Sequence, residues 1–227
     1  MATASAMVRR SKWSWPSAEV VVPFDLTVDG SVYAGEMTTS PQRVAVIGGS
    51  GAGKTTFARH LSEAIRVPHV ELDALHWDVD WTPTPAAEFR ERVERALKGE
   101  RWVVDGNYQS KLGTRILELS DTVIWLDPGR ATIMRRVIGR TWRRAVSGEE
   151  LWNGNRETWA GFKLWRRDES IIWWAWRSAG RVRREFGPLP HDPALGHVRF
   201  HRLRSRRDVA RFLRSVTPRR TRVRIVV

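Results

Sequence analysis

The chain has 227 residues and is 41% hydrophobic, which is enough apolar material for one globular α/β domain with appendages. It contains no cysteine, which excludes disulfides and thiolate metal sites. No apolar run approaches the roughly 20 residues of a membrane span, and the N-terminus has no apolar segment typical of a signal peptide. We therefore expect no membrane contact and a cytoplasmic location.

The positive charge is concentrated in the C-terminal half. The net charge is +14 overall, but residues 1–42 carry −1, residues 43–127 carry −2 and residues 128–227 carry +17. This asymmetry predicts that the C-terminal half faces an anionic partner, which can be a nucleotide or a nucleic acid.

Residues 1–42 form an N-terminal extension without clear periodicity. Apolar runs around Asp29-Gly30 are compatible with a small hairpin, and otherwise the segment resembles a poorly ordered tail. We expect the extension to be dispensable for chemistry.

A glycine-rich loop follows a run of apolar β-formers. Residues 48–55 fit the phosphate-binding pattern G-x-x-x-x-G-K-[ST], and residues after it show helical spacing of apolar side chains. In such a P-loop, backbone N–H groups and a helix N-terminus bind phosphate oxygens. Lys54 is expected to reach the β- and γ-phosphates and Thr55 to ligate Mg²⁺. The predicted ATP-binding residues of the loop are Gly49, Ser50, Gly51, Ala52, Gly53, Lys54, Thr55 and Thr56.

Three further strands, each ending in an aspartate, are predicted after the P-loop helix. They cover residues 69–73, 101–105 and 122–127, with a helix from Thr84-Pro85 to Gly99 between the first two. Strands that alternate with helices form a parallel sheet, whose carboxyl edge binds ligands. Asp105 is therefore predicted to associate with Mg²⁺ and Asp73 to orient or deprotonate the acceptor, while Asp127, before Pro128, is interpreted as structural.

An arginine-rich helix is predicted from Ala131 onward. Its basic side chains recur on one stripe, and we expect Arg136, Arg140 or Arg144 to neutralise charge on the transferring phosphoryl group. A tryptophan-rich insertion follows over residues 145–190, where the indoles either pack in a core or stack on bases. Residues 197–203 are a predicted fifth strand, and Arg204 follows it.

A P-loop alone indicates nucleotide binding without specifying a reaction. A GTPase requires an N-K-x-D segment, which is absent, and mechanical ATPases usually carry a strand ending in Asp-Glu, whereas Asp105-Gly106 and Asp127-Pro128 stand here. These absences favour phosphoryl transfer to a bound acceptor. The alternative from another class is an ATP-controlled nucleic-acid-binding protein that uses the basic C-terminal half.

The motifs also resemble a known family. The P-loop, the strand-end Asp105-Gly106 and the arginine-bearing helix look like the adenylate-kinase-like branch of P-loop kinases. More narrowly, residues 71–77, 104–108 and 123–127 resemble a bacterial group often labelled DNA topology modulation proteins or putative adenylate kinases. The resemblance implies that Arg204, after the last predicted strand, covers the adenine of ATP. Adenylate kinases have Asp-Gly-Phe-Pro-Arg where this chain has residues 105–109, and the arginine that helps to hold AMP there is missing, so the acceptor stays open.

Together these features predict a P-loop NTPase three-layer sandwich with a mostly parallel five-stranded sheet and an arginine-rich helical lid. The predicted kinase-like domain covers residues 43–215, with the lid insertion at about residues 140–190, and residues 216–227 form a basic tail. The expected activity is transfer of the γ-phosphoryl group of Mg-ATP to a small nucleotide-like or metabolite-like acceptor.

Overall fold

The structure is a computed structural model that describes residues 40–148, 150–155 and 180–217. All of them belong to Met37–Val227, one of the two units into which the chain divides. The predicted hairpin in residues 1–39, the tryptophan-rich part of the insertion in residues 156–179 and the tail from residue 218 lie outside the described residues.

Strands and helices alternate along the described chain, with four short 3₁₀ turns between them at Val79–Trp81, Trp152–Gly154, Leu189–His191 and Pro193–Leu195. The strands are β1 (Arg43–Gly48), β2 (His69–Glu71), β3 (Trp102–Asp105), β4 (Thr122–Leu126) and β5 (Arg199–Leu203). The helices are α1 (Lys54–Ile65), α2 (Leu72–His76), α3 (Ala86–Ala96), α4 (Gln109–Leu112), α5 (Arg115–Leu119), α6 (Arg130–Ser147), α7 (residues 180–186) and α8 (Arg206–Val216).

The five strands form one sheet in the order β2-β3-β1-β4-β5, and every pairing is parallel. Because all strands run in the same direction, the P-loop after β1, the end of β3 and the segment after β2 meet at one edge of the sheet. The register brings Glu71 of β2 and Val46 of β1 opposite Asp105 of β3. The predicted fold class is thereby confirmed.

Helices cover both faces of the sheet. Alternate residues of β1 point to opposite faces, so Val44 and Val46 pack with α1 and α8, whereas Ala45 and Ile47 pack with α3, α5 and α7. Each face therefore buries its own apolar cluster, and the strands are buried on both sides, as a parallel sheet requires.

Two predicted boundaries are wrong in a way that affects the site. Strand β2 ends at Glu71, and α2 begins at Leu72, so Asp73 lies in the first turn of a helix and does not end a strand. Helix α3 is preceded by Pro85 as its N-cap residue, because the buried Thr84 hydroxyl donates to the carbonyl of His76 (2.9 Å) and does not cap the helix. Thr84 thus ties the residues after α2 to the start of α3.

None of the helices in the described ranges combines the length and the apolar character needed to cross a bilayer.

Candidate functional site

The loop between β1 and α1 has the backbone geometry of a tight anion-binding turn. Gly51 has a φ of 76°, and a Cβ atom at this position would lie 2.6 Å from Val137 of α6. Gly48 has a φ of 149°, and its Cβ would lie 2.5 Å from the carbonyl oxygen of Leu126. The loop therefore packs directly against β4 and α6, and only glycine fits at these two positions. All of the predicted loop residues from Ser50 to Thr56 line one large cleft.

Lys54 is the cationic centre of this cleft. Its Nζ donates to the carbonyl oxygens of Gly48 (3.0 Å) and Gly49 (3.3 Å). Burial lowers the pKa of Lys54, while the charges of nearby carboxylates act in the opposite direction, Asp73 more strongly than Asp105. The structure thus brings Lys54 within electrostatic reach of both predicted strand-edge acids.

Three oxygen-bearing side chains converge beside Lys54. The Thr55 hydroxyl oxygen lies 3.2 Å from Glu71 Oε1 and 3.2 Å from Asp105 Oδ1. Asp105 is 2% exposed, and its other oxygen lies 2.7 Å from His69 Nε2. Burial raises the pKa of Glu71, and the charges of Asp105 and Asp73 add to this effect, while a hydrogen bond from Trp152 opposes it. Two carboxylates at this spacing repel each other unless a cation approaches them.

This oxygen cluster fits the coordination chemistry of Mg²⁺. Hydroxyl and carboxylate oxygens are its preferred ligands, and it usually binds through one or two carboxylates together with waters and substrate phosphates. Within the described ranges, no group of three or more His, Cys, Asp or Glu side chains could hold a metal. Thr55, Glu71 and Asp105 would therefore hold Mg²⁺ only with further ligands, which the phosphates of a nucleotide provide.

The Asp73 side chain is held by Tyr108. Its Oδ1 accepts a hydrogen bond from the Tyr108 hydroxyl (2.6 Å), and its Oδ2 accepts none from the described residues. Burial and the neighbouring Asp73 charge raise the pKa of Tyr108, so the phenol stays protonated and keeps donating. The ring of the buried His76 packs against the Tyr108 ring, with their centroids 4.7 Å apart. The result is an oriented carboxylate with one oxygen open to the cleft.

Asn107 connects the end of β3 to the start of the P-loop. Its Oδ1 accepts from the backbone N–H of Gly48 (3.2 Å), and its Nδ2 donates to the carbonyl oxygen of the same residue. These two hydrogen bonds hold the first glycine of the loop, whose carbonyl also accepts from Lys54. The sequence after Asp105-Gly106 thus has a structural purpose: Asn107 holds the loop and Tyr108 holds Asp73.

The predicted arginines all line the cleft, but in different environments. Arg136 donates through Nη1 to the carbonyl oxygen of Ala52 in the P-loop (2.7 Å), and burial lowers its pKa. Arg140 lines the same cleft, and its charge lowers the pKa of Lys54. Arg144 lines the cleft from the last turn of α6, and Arg204 lines it from the opposite end of the chain, after β5.

Three tryptophans that line the cleft, Trp77, Trp81 and Trp152, contact one another through their rings. Trp77 and Trp81 meet edge to face with ring centroids 5.7 Å apart, and Trp81 meets Trp152 at 6.2 Å. The buried Asn155 fixes the arrangement, because its Oδ1 accepts from the backbone N–H of Trp81 (2.7 Å) and its Nδ2 donates to the carbonyl of Trp152 (2.8 Å). The segment after the lid helix is thereby attached to the segment after β2.

Asp127, interpreted from the sequence as structural, is occupied by ion pairs. Its buried carboxylate accepts from Arg183 Nε (2.8 Å) and from Arg202 Nε (3.0 Å), and the Arg202 guanidinium lies 4.0 Å from the centre of the Trp125 ring. These contacts connect α7, β4 and β5, and Asp127 is not among the residues that line the cleft.

The predicted site residues other than Gly49 and Asp105 line one cleft of about 2040 Å³. Asp105 is buried behind Thr55, whose hydroxyl it contacts. Sequence reasoning missed Glu71, Asn107, Tyr108 and Trp152 as site residues. Glu71 could have been predicted, because alternation along β2 puts it on the same face of the sheet as His69, and it pairs with Asp105. The partners of the other three depend on segments that are distant in sequence, and no local pattern indicates them.

Comparison with known proteins gives a mixed result. No family model matches the chain, and no curated protein matches it. The search of solved structures finds kinases that resemble the chain in structure.

Three such structures share the general arrangement at low sequence identity. A shikimate kinase from Acinetobacter baumannii, in complex with shikimate, is 14% identical with a TM-score of 0.47, over 79% of this chain and 92% of that one. A gluconokinase from Sinorhizobium meliloti 1021 is 17% identical with a TM-score of 0.43, over 78% and 90%. A shikimate kinase from Bacteroides thetaiotaomicron is 11% identical with a TM-score of 0.43, over 77% and 96%.

At TM-scores below 0.5 these likenesses carry no argument about the substrate of this chain. The narrower resemblance to the group labelled DNA topology modulation proteins has no support among them. The functional inference therefore depends on the residues of the cleft itself.

Proposed function

We propose that the protein is a P-loop phosphotransferase that moves the γ-phosphoryl group of Mg-ATP to a hydroxyl group of a small acceptor. The observation that carries this proposal is the arrangement around Lys54. An oxygen cluster suited to Mg²⁺ lies on one side, and Asp73, with one oxygen open to the cleft, lies within electrostatic reach.

Each residue has a defined role in this proposal. The P-loop from Gly49 to Thr56, which includes Lys54, binds the phosphates, and Thr55, Glu71 and Asp105 would hold Mg²⁺. When bound, Mg²⁺ would neutralise charge on the β- and γ-phosphates. Asp73 accepts the proton of the attacking hydroxyl, and its orientation depends on Tyr108.

The lid arginines divide between two tasks. Arg136 supports the P-loop through Ala52, so its main contribution is to the shape of the phosphate site. Arg140, whose charge acts on Lys54, is the better candidate for stabilising charge on the transferring phosphoryl group, and Arg144 stays a second candidate. Arg204, at the opposite rim, is proposed to contact the base of ATP. A cytoplasmic location remains a prediction.

The alternative of an ATP-controlled nucleic-acid-binding protein is not favoured. Several described arginines of the basic half line the P-loop cleft or pair with Asp127, where they serve the nucleotide or the fold. Fluorescence anisotropy with single-stranded and duplex DNA at physiological salt tests this alternative, and we expect no binding that falls steeply with salt.

The central test measures ADP release from Mg-ATP over a panel of small hydroxyl-bearing acceptors. Lys54→Ala should reduce acceptor-dependent ADP release by about 10²–10³-fold, the range found when one transition-state donor is removed. Lys98→Ala, on an exposed position outside the cleft, is the matched control and should behave like the wild type. Equal turnover by Lys54→Ala and the wild type would disprove the proposed role of the P-loop.

A further inference from the structure

His69, the first residue of β2, contacts a carboxylate that the proposed function assigns to Mg²⁺. Its Nε2 lies 2.7 Å from Asp105 Oδ2, and the exposed fractions of the two side chains are 18% and 2%. An ionised carboxylate only accepts hydrogen bonds, so Nε2 is the donor and carries the hydrogen. Because β2 is an edge strand, the imidazole approaches Asp105 from the edge of the sheet.

The register of the sheet explains why these two side chains meet. Glu71 pairs with Asp105 and His69 pairs with Val103, so His69 is the diagonal neighbour of Asp105. Side chains alternate along a strand, which puts His69 and Glu71 on the same face of the sheet as Asp105. On that face Asp105 therefore has a second carboxylate directly beside it and a hydrogen-bond donor diagonally beside it.

Both oxygens of the Asp105 carboxylate have a partner. Oδ1 lies 3.2 Å from the Thr55 hydroxyl oxygen, and Oδ2 accepts from His69. The last side-chain torsion of aspartate is soft, and contacts on both oxygens restrict it. Without the imidazole, Oδ2 would be a buried oxygen with no partner among the described residues, and the carboxylate could turn to reduce its repulsion from Glu71.

We propose that His69 is a positioning residue for the metal-binding oxygen cluster, a role that rests on the proposed function. Its hydrogen bond holds Asp105 with Oδ1 toward Thr55, so that the cluster keeps the arrangement suited to Mg²⁺. Removing such a hydrogen-bond partner of a metal-binding side chain typically costs about 10–100-fold in metal affinity. His69 is not among the residues that line the cleft, so it acts through Asp105 and not on the nucleotide.

Calorimetric titrations of ADP into the full-length protein test this role without relying on turnover. Titrations in EDTA and at a series of Mg²⁺ concentrations give two quantities, the Kd of metal-free ADP and the Kd of Mg²⁺ for the protein–ADP complex. We expect His69→Leu to raise the Kd of Mg²⁺ by about 10–100-fold and to leave the Kd of metal-free ADP within about twofold. An unchanged Kd of Mg²⁺, or an equal loss of affinity for metal-free ADP, would overturn the inference.

Two further variants show whether the hydrogen bond itself is responsible. His69→Gln keeps an N–H donor at a similar distance from the backbone, so it should restore most of the Mg²⁺ affinity that His69→Leu loses. A glutamine variant as weak as the leucine variant would overturn the inference. His191→Leu is the matched control, because His191 is exposed and lies outside the cleft, and it should match the wild type in both Kd values.

Action through Asp105 is tested in the Asp105→Asn background. If His69 acts by holding this carboxylate, adding His69→Leu should change the Kd of Mg²⁺ little beyond the effect of Asp105→Asn alone, whereas independent residues give additive changes in free energy. Additive changes would overturn the inference. Nitrogen NMR of the wild type with labelled histidines applies even where a variant does not fold. It should show a hydrogen on Nε2 of His69, and an Nε2 without one would overturn the inference.

Failure of this inference is distinguishable from failure of the proposed function. If the wild type binds ADP no more tightly with Mg²⁺ than in EDTA, or if Lys54→Ala binds Mg-ADP as well as the wild type does, the proposed phosphotransferase fails and the role of His69 fails with it. If the wild type binds Mg-ADP in a Lys54-dependent way and His69→Leu has the same Kd of Mg²⁺, only the role of His69 is wrong.

Discussion

Replacing Glu71 with glutamine tests whether the oxygen cluster is built to receive a cation. Glu71 Oε1 and Asp105 Oδ1 each lie 3.2 Å from the Thr55 hydroxyl oxygen, so they are separated by at most twice that distance. At that separation and an effective dielectric constant of about 20, Coulomb's law gives a repulsion of about 2.6 kcal/mol. The positive charge of Lys54 and partial solvent access offset much of it, and we expect Glu71→Gln to stabilise the metal-free protein by about 1 kcal/mol at pH 8.

The pH dependence of this stabilisation has a definite sign. The pKa of Glu71 is raised in the folded protein above its ordinary value of 4.5, so folding favours the protonated acid. The wild type therefore loses stability relative to Glu71→Gln as the pH rises from about 4.5 through the raised pKa, and the difference disappears at lower pH. Urea unfolding of both proteins between pH 4 and pH 8, in the presence of EDTA, measures this difference.

Mg²⁺ binding should be weaker in Glu71→Gln than in the wild type, although the metal-free variant is the more stable protein. Glu71→Gln removes a charged ligand, so the Mg²⁺ concentration that gives half-maximal activity should rise by about 10-fold or more. Glu63→Gln, on the exposed side of α1, is the matched control and should leave both stability and Mg²⁺ dependence as they are. A Glu71→Gln protein that is less stable than the wild type at pH 8, or equally dependent on Mg²⁺, would refute the reasoning.

Three more predictions concern neighbouring residues. Asp105→Asn should weaken the Mg²⁺ dependence more than Asp73→Asn, whereas Asp73→Asn should lower kcat by about 10²–10⁴-fold at saturating Mg²⁺, and a metal titration with the opposite ranking would exchange their roles. Asn107→Ala removes both hydrogen bonds to the peptide groups of the first P-loop glycine and should cost about 1–3 kcal/mol of stability in urea unfolding, with weaker ATP binding by calorimetry. Arg136→Ala should lower stability in urea unfolding by about 1.5–3 kcal/mol, since it loses a charged hydrogen bond, and an unchanged stability would remove its role in supporting the P-loop. Arg140→Ala should lower kcat at saturating Mg-ATP, and an unchanged kcat would remove its proposed role at the transferring phosphoryl group.

The sequence predicted the sheet and the P-loop well because both depend on local signals. Apolar runs such as residues 43–47 report burial directly, and the glycine pattern from Gly48 to Thr55 is set by the backbone conformations that phosphate binding requires. Five parallel strands with helices on both faces followed from their alternation along the chain.

The two wrong boundary predictions, at the end of β2 and at the start of α3, concern residues for which two local structures compete. The pattern of residues 69–73 fits a strand, but the pairing with β3 ends at Glu71 and the chain turns into α2, which moves Asp73 from the strand end into a helix. Thr84 has the composition of a helix cap, yet its hydroxyl is taken by the buried carbonyl of His76. Propensity identifies what a residue can do locally, and tertiary contacts decide which option is used.

Site residues divide in the same way. The arginine stripe on α6 was visible from its period, but the period indicates a face and not a partner, so the bond from Arg136 to Ala52 could not be predicted. The hydrogen bond between Asn155 and the backbone of Trp81 joins residues 74 positions apart, and no sequence pattern near either residue indicates it.

The division of labour within the cleft has a consequence for the choice of acceptor. The residues proposed to bind phosphate belong to β1, β3 and α1, which lie at the centre of the fold. Trp77, Trp81 and Trp152 belong to two connecting segments, which Asn155 and its neighbours join. Under the proposed function, substitutions in those two connections would change the acceptor without altering the residues of β1, α1 and β3 that are proposed to bind the triphosphate.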